Sequence, residues 1–466
     1  MTAPRVEPHL VMADGQGNIY DDPHLLMVCR RGAQWGLPRP DELLPLPEES
    51  EFFLLPGRRA VGLDPDTGRL VAPEGEAQLA VAAFAAPGYT LSAHPAYESA
   101  ADAPLLPLFA YGAVGFAGGR FYICARRVDA EPRQEFRRIP RSRIEKGARA
   151  LLRAYPRNRL IRHILDNCVA RYDCPAARNF ALGRYEAPLP SSRVCNARCV
   201  GCISAQEKDS PVRMTPQCRL TFTPTPEETA EVMRVHAARE TRAPIYSFGQ
   251  GCEGDPLMNP DLLEESVRLF RAEGGPGTIN CNSNASNPGA VARLAEAGLT
   301  SLRVSCNSAR DALYARYYRP VNYCLDDVRA SIREARVRNV WVSLNLLFFP
   351  GITDTEEELD ALARLVGENG VSMIQWRNLN IDPEWYFRRM GGDADGEERL
   401  ALSPGMGLAR FMKRLKKLCP WLRYGYFNPY LGEKAAVTAP MPGEWRMPVP
   451  RAREGAAVPG DDVSDG

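Results

Sequence analysis

Several things are missing from this chain, and each absence narrows what it does. There is no charge imbalance: 58 Lys and Arg stand against 57 Asp and Glu, a formal net charge of +1. Nothing global therefore argues for a nucleic-acid or membrane-surface partner. There is no long hydrophobic run. The longest, near 79–87, is less than half of the roughly 20 residues a membrane helix needs. No basic stretch followed by an apolar core stands at residues 1–15, so no secretory leader is expected. No internal repeat is found. The 13 cysteines lack disulfide-scaffold spacing, which points to a reducing compartment, the cytoplasm. What remains is an ordinary globular composition, 45% hydrophobic and 25% charged. A chain of 466 residues is long enough for two or three domains.

Three thiols are concentrated in one place: Cys195-Asn196-Ala197-Arg198-Cys199-Val200-Gly201-Cys202, spaced C-x3-C-x2-C. Three thiolates on one short loop can converge on one point. Structural zinc is one reading. Zinc takes four Cys or His ligands, most often as two C-x2-C-like pairs, and no second pair occurs. A [4Fe–4S] cluster is the other reading. It normally takes four thiolates, and three would leave one iron open to a small molecule. Upstream, Cys168 and Cys174 are spaced C-x5-C. They are candidates for a second cluster or metal, although two ligands are too few without partners from elsewhere.

Residues 1–140 read as a separate, mostly β domain, with short apolar runs between turn signals such as Asp14-Gly15, Pro56-Gly57 and Pro87-Gly88. It carries no motif of chemistry and is either a substrate-recognition module or a structural cap. Residues 141–187 read as a basic helical linker, with helices at 144–155 and 158–172. Between 120 and 163, fourteen Arg or Lys face four acids, Asp129, Glu131, Glu135 and Glu145. An anionic partner such as RNA is the functional reading. Solvated helix faces are preferred, because no aromatic residues interleave the charges.

From 188 to 425 strand and helix alternate, the pattern of a parallel β/α sheet or barrel. Strands are expected at 245–248, 278–282, 302–305, 341–348 and 373–376. Helices are expected at 262–273, 289–297, 325–337, 356–368 (capped by Thr353 or Asp354) and 407–418. A short strand before Cys195 makes six β/α units. Residues 426–466 read as an irregular, Pro-rich tail whose last ten residues are acidic and disordered. Successive strand side chains alternate faces. One face carries Asn280, Asn282, Arg303, Ser305, Ser343, Asn345, Gln375 and Arg377; the other carries Ile279, Val304, Val342, Leu344 and Ile374. The apolar face must pack on the helices, so the polar face points inward. A closed barrel fills its interior with apolar layers; a polar lumen fits one that holds a polar ligand. The same parity turns Cys281 and Cys306 outward as buried small residues.

In order, these motifs resemble the radical SAM superfamily over about 188–376. After the cysteine loop comes Gly249-Gln250-Gly251-Cys252-Glu253-Gly254-Asp255-Pro256, similar to the family's Gly-Gly-Glu-Pro stretch. The third and fourth strands end Asn280-Cys281-Asn282-Ser283-Asn284 and Ser305-Cys306-Asn307-Ser308, and the fifth runs from Asn345 into Pro350-Gly351-Ile352-Thr353-Asp354. The chain departs from the pattern in two places. Gly201 stands where an aromatic or bulky residue is usual, and Asp255 replaces the Glu before Pro, with Glu253 two residues earlier.

The resemblance implies an α/β fold, a partial (β/α)6 TIM-like barrel, here with an N-terminal mostly-β domain. It implies a [4Fe–4S] cluster on Cys195, Cys199 and Cys202, with S-adenosylmethionine chelating the open iron. The cofactor contacts it implies are Gly251, Glu253 or Asp255 for the ammonium, and Asn282, Ser305, Asn307 and Asn345 for the rest. It further implies reductive cleavage to a 5′-deoxyadenosyl radical, a small-molecule or peptide substrate, and a reductant such as flavodoxin or ferredoxin. Nucleic acid and membrane are not expected as partners. Two alternatives stay open: a radical SAM RNA-modifying enzyme, and a non-catalytic iron–sulfur or zinc scaffold protein. The loop 377–386 at the open face is a candidate substrate contact, or else a surface loop.

Overall fold

The structure, a computed structural model, describes residues 6–75, 78–212, 214–391, 400, 402–432 and 438–448. The acidic last ten residues lie outside the described residues. Strands from His9–Ala13 to Arg120–Arg127 form an 11-stranded and a 3-stranded sheet with antiparallel pairing. The strand Leu79–Phe84 shows why this region is rich in small residues. Ala80 and Ala82 face a core with Leu10, Met12 and Tyr111, while Val81 and Ala83 face another with Val11, Leu91 and Ile123. A strand buried on both faces has room only for small apolar side chains. The turn expected at Pro56-Gly57 is instead inside the strand Glu51–Ala60. There the register slips between Leu55 and Arg59 and Gly57 has a φ of +70°. A residue without N–H beside a left-handed glycine makes a bulge, not a chain reversal.

The helix expected at 144–155 spans Arg141–Ala154. The helix expected over 158–172 is broken. Asn158 caps Arg159–Arg162, accepting from Ile161 N–H at 2.8 Å, and the chain then winds as a π-helix over His163–Val169. A further helix, Pro175–Leu182, follows, with proline in its first turn.

Seven parallel strands then lie in chain order: Glu186–Leu189, Ile245–Phe248, Thr278–Ser283, Ser301–Cys306, Trp341–Phe348, Met373–Asn378 and Arg423–Gly425. The six expected strands are present. The seventh, three residues long, is too short to show alternation and lies at the end of the span 188–425 expected to alternate strand and helix. Between the first and second strands lies an unexpected helix, Pro226–Ala237. Its signal was in the sequence: Thr225 and Glu228 form a capping box across the first turn, with Pro226 at its first position. The helix Glu356–Asn369 is capped by Thr355, not by Thr353 or Asp354. Asp354 is drawn inward, accepting from Gly351 N–H at 2.6 Å and Gly407 N–H at 2.8 Å. The loop expected at 377–386 begins as the end of a strand, Met373–Asn378, and ends in the first turn of a helix, Pro383–Gly391, with Tyr386 buried against Phe349. No helix among the described residues is long and apolar enough to cross a membrane.

The strand faces follow the expected parity. Ile279, Val304, Val342, Leu344 and Ile374 join the main core, as do Cys281 and Cys306. Inside, polar side chains bond to one another. Ser301 Oγ donates to Asn280 Oδ1 (2.8 Å), Asn280 Nδ2 to Asn282 Oδ1 (2.7 Å), and Asn428 Nδ2 to Glu186 Oε1 (2.8 Å). The β-rich region covers the C-terminal rim of the sheet. Thr90 Oγ1 donates to Trp376 O (2.9 Å), Leu91 N–H to Asn378 Oδ1 (2.8 Å), and buried Arg58 pairs with buried Asp382 at 2.6 Å.

Candidate active site

The cysteine loop follows the first barrel strand and is held by its main chain. Arg198 and Val200 N–H donate to Tyr318 O and Tyr317 O, each at 2.9 Å. Tyr317 and Tyr318 end the helix Asp311–Tyr318, which has no counterpart in the sequence expectation. Asn284 Nδ2 donates to Asn196 Oδ1 (2.7 Å), tying the loop to the end of the third strand. The structure also accounts for Gly201. A Cβ there would stand 3.0 Å from the Tyr317 hydroxyl, so a tyrosine from another element occupies the space of the usual bulky neighbour.

The glycine-rich loop after the second strand is packed equally close. At Gly254 a Cβ would fall 1.9 Å from Val194 O, in the approach to the cysteine loop. The two acids of this loop are buried and differ in how fully they are used. Glu253 Oε2 accepts from Ser191 N–H (2.7 Å), Ser191 Oγ (2.9 Å) and Ser192 N–H (3.0 Å), and Oε1 from Gly249 N–H (2.7 Å) and Gln250 N–H (2.9 Å). Five donors exceed the roughly four lone-pair sites of a carboxylate. Burial nonetheless pushes Glu253 up to about 7 against those bonds. Asp255 accepts three: Leu257 N–H (3.0 Å) and Ser283 Oγ (2.7 Å) on Oδ1, and Asn284 N–H (2.7 Å) on Oδ2. Burial raises its pKa as well.

Cys195, Cys199 and Cys202 all line one cavity of about 390 Å³, together with Gly251, Glu253, Asp255, Asn282, Ser305 and Asn345. Asn307 is not in that wall. It is buried, with its amide donating to Leu313 O (3.2 Å) and to the Tyr386 hydroxyl (3.3 Å). Asn282 is engaged within the protein, donating to Phe248 O at 2.8 Å. The lining also includes residues the sequence did not single out as ligands: Arg219, Arg303, Tyr317 and Arg377. For Arg303 and Arg377 the signal was there, since both fall on the polar strand face. Arg219 and Tyr317 come from segments without a motif.

The thiols are electrostatically unequal. Burial, then the Asp255 charge, pushes Cys195 up to about 11. Burial, then the charges of Cys202 and Cys195, pushes Cys199 well up. Burial also acts on Cys202, but N–H groups of Ser204 and Ala205, the Ser204 hydroxyl and Arg219 bring it below the ordinary thiol value. Arg219 Nη2 lies 3.7 Å from the Cys202 sulfur. Three thiolates that repel one another in a shared wall fit a cationic, thiophilic core, and an iron–sulfur cluster is of that kind.

Residues 189–366 match the Radical SAM superfamily. No curated protein sequence matches the chain. Among solved structures, it is similar to a radical SAM methyltransferase from Sphaerobacter thermophilus at 18% identity and a TM-score of 0.31, over 49% of this chain and 61% of that one. It is similar to Streptococcus suis SuiB bound to S-adenosylmethionine at 12% identity and a TM-score of 0.33, over 50% and 46%. It is also similar to the methyltransferase TsrM from Kitasatospora setae, with cobalamin and a [4Fe–4S] cluster bound, at 16% identity and a TM-score of 0.34, over 52% and 53%. In each case the match spans less than two thirds of the other protein's length. The likeness to the Radical SAM superfamily thus rests on the matched segment, residues 189–366.

Proposed function

We propose that this protein is a radical SAM enzyme acting on a small molecule or peptide that carries an anionic group. The observation that carries this reading is the sharing of one cavity by the three thiols, the glycine-rich loop and the polar strand face. A [4Fe–4S] cluster and S-adenosylmethionine bound there would supply radical hydrogen-atom abstraction, with one electron from an external donor. The rest is the work of the chain's own residues. Cys195, Cys199 and Cys202 would hold the cluster. Asp255 takes the cofactor's ammonium, because Oδ2 accepts only one bond within the protein, whereas Glu253 is saturated and braces the loop. Asn345 and Ser305 face the same cavity from neighbouring strands.

Arg303 and Arg377 assign the substrate's charge. Burial, then Arg377, lowers Arg303 to about 10, and its buried Nε has no partner. Arg377 stacks on Tyr426 at 3.9 Å. Two guanidinium groups in one cavity are relieved by a carboxylate or phosphate. A one-electron donor such as flavodoxin or ferredoxin is the partner this chemistry needs, and a reducing cytoplasm suits the thiols. Incubating the reconstituted enzyme with deuterated metabolite extract tests this reading. Deuterium in 5′-deoxyadenosine should come from the anionic fraction and fall sharply in Arg303→Met; transfer confined to neutral or cationic compounds overturns the substrate class.

A further inference from the structure

A second group of ligands lies outside the cavity chemistry. His163, Cys168 and Cys252 each offer a ligand atom, and these atoms lie within 4.8 Å of one another. Cys168 and Cys252 are fully buried, and the buried His163 Nε2 makes no hydrogen bond by distance and angle. The two sulfurs are 3.7 Å apart. A disulfide needs about 2.05 Å. Two thiolates on a tetrahedral zinc with arms of about 2.3 Å stand about 3.8 Å apart, which is the spacing found. The local winding explains how His163 and Cys168 meet. In an α-helix, residues five apart point about 140° away from each other. The π-helix His163–Val169 uses i→i+5 bonds, such as Ala170 N–H to Leu165 O at 3.1 Å, and brings such residues onto one face. The chain then folds back, with Cys174 N–H donating to Cys168 O at 2.8 Å.

We propose that His163, Cys168 and Cys252 form a site for one divalent thiophilic metal, of the zinc class. Two thiolates and one imidazole are zinc donors, and the fourth tetrahedral position falls to water or a neighbouring group. Cys252 sits between Gly251 and Glu253, so the metal fastens the glycine-rich loop to the π-helical segment that carries His163 and Cys168. The site stands whether or not the loop at 195–202 carries a cluster.

The test uses the full chain with Cys195, Cys199 and Cys202 changed to Ala, which removes the other thiol site, expressed in zinc-supplemented medium. Elemental analysis should find about one zinc per chain. Adding Cys168→Ser and Cys252→Ser should lower it to about a tenth or less. No zinc in the first variant, zinc unchanged in the second, iron with acid-labile sulfide in its place, or a Cys168–Cys252 disulfide by mass spectrometry would each overturn the proposal. Because the second variant can fail to fold, cobalt(II) substituted into the first gives an independent reading. Intense thiolate-to-cobalt charge transfer with tetrahedral ligand-field bands is expected, and a weak octahedral spectrum contradicts it.

Discussion

The molecule holds two groups of thiols, and they are built in opposite ways. One is written in a single stretch, Cys195 to Cys202, and lines a cavity. The other joins Cys168 to Cys252, 84 residues apart, inside the core. The first has three sulfurs facing space that a small molecule can enter. The second has His163 and two sulfurs held between helix and loop. The difference is one of encoding: here the ligands that face open space sit on one loop. A fastening needs ligands from segments that must be held together.

The largest expected effect separates the two directly. Changing Cys195, Cys199 and Cys202 to Ala should remove all of about four irons while leaving about one zinc; iron and sulfide retained in that variant would break the comparison. Next comes the cofactor. A charged hydrogen bond is worth about 1.5–3 kcal/mol, so Asp255→Asn should weaken S-adenosylmethionine binding by about one to two orders of magnitude in calorimetry. Glu253→Gln should instead show in stability. Its new amide N–H group meets backbone N–H donors, and the unfolding midpoint in urea should drop by the equivalent of about 2–3 kcal/mol. The reverse pattern in the two variants would exchange their roles.

A smaller effect probes how the two thiol regions are joined. Gly254→Ala places a methyl against Val194 O and should cost about 1–3 kcal/mol, read as a lower melting temperature and partial loss of iron. Unchanged melting would mean that the loops are not packed against each other. The smallest effect is expected in the basic segment. Arg137 pairs with Glu48, and Arg141 and Arg149 with Glu145. Neutralising Arg137, Arg138, Arg141 and Arg143 should change retention of total RNA by less than about twofold at either of two salt concentrations. Tight, salt-sensitive binding lost in that variant would place chemistry outside both thiol regions.

The parts legible in the sequence are those whose signal is local or periodic. Six strands, the inward polar face and the C-x3-C-x2-C loop all follow from alternation and spacing. Asn282, Ser305 and Asn345 reached the cavity because they stand on the polar parity, the first two near strand ends. Asn307 stands one register step beyond that reasoning, on a loop that turns it towards Leu313 and Tyr386. What stayed hidden depends on contacts between distant segments. Tyr317 fills the space beside Gly201 only because a short helix brings it there. Arg219 reaches Cys202 from a stretch without regular structure. His163 and Cys168 share a face only through i→i+5 winding, which no α-helical periodicity reveals. Asp354 looked like a cap and is a staple, because the cost of burying its charge is offset by N–H groups of two separate loops.

The most direct measurement of the central claim is anaerobic. The reconstituted chain, reduced with dithionite and given S-adenosylmethionine, is assayed for 5′-deoxyadenosine against the Cys195, Cys199 and Cys202 to Ala variant. The account predicts 5′-deoxyadenosine from the parent chain and none above the reagent background from the variant. Equal formation in both, or none from a parent chain that holds its full complement of iron and sulfide, would contradict it.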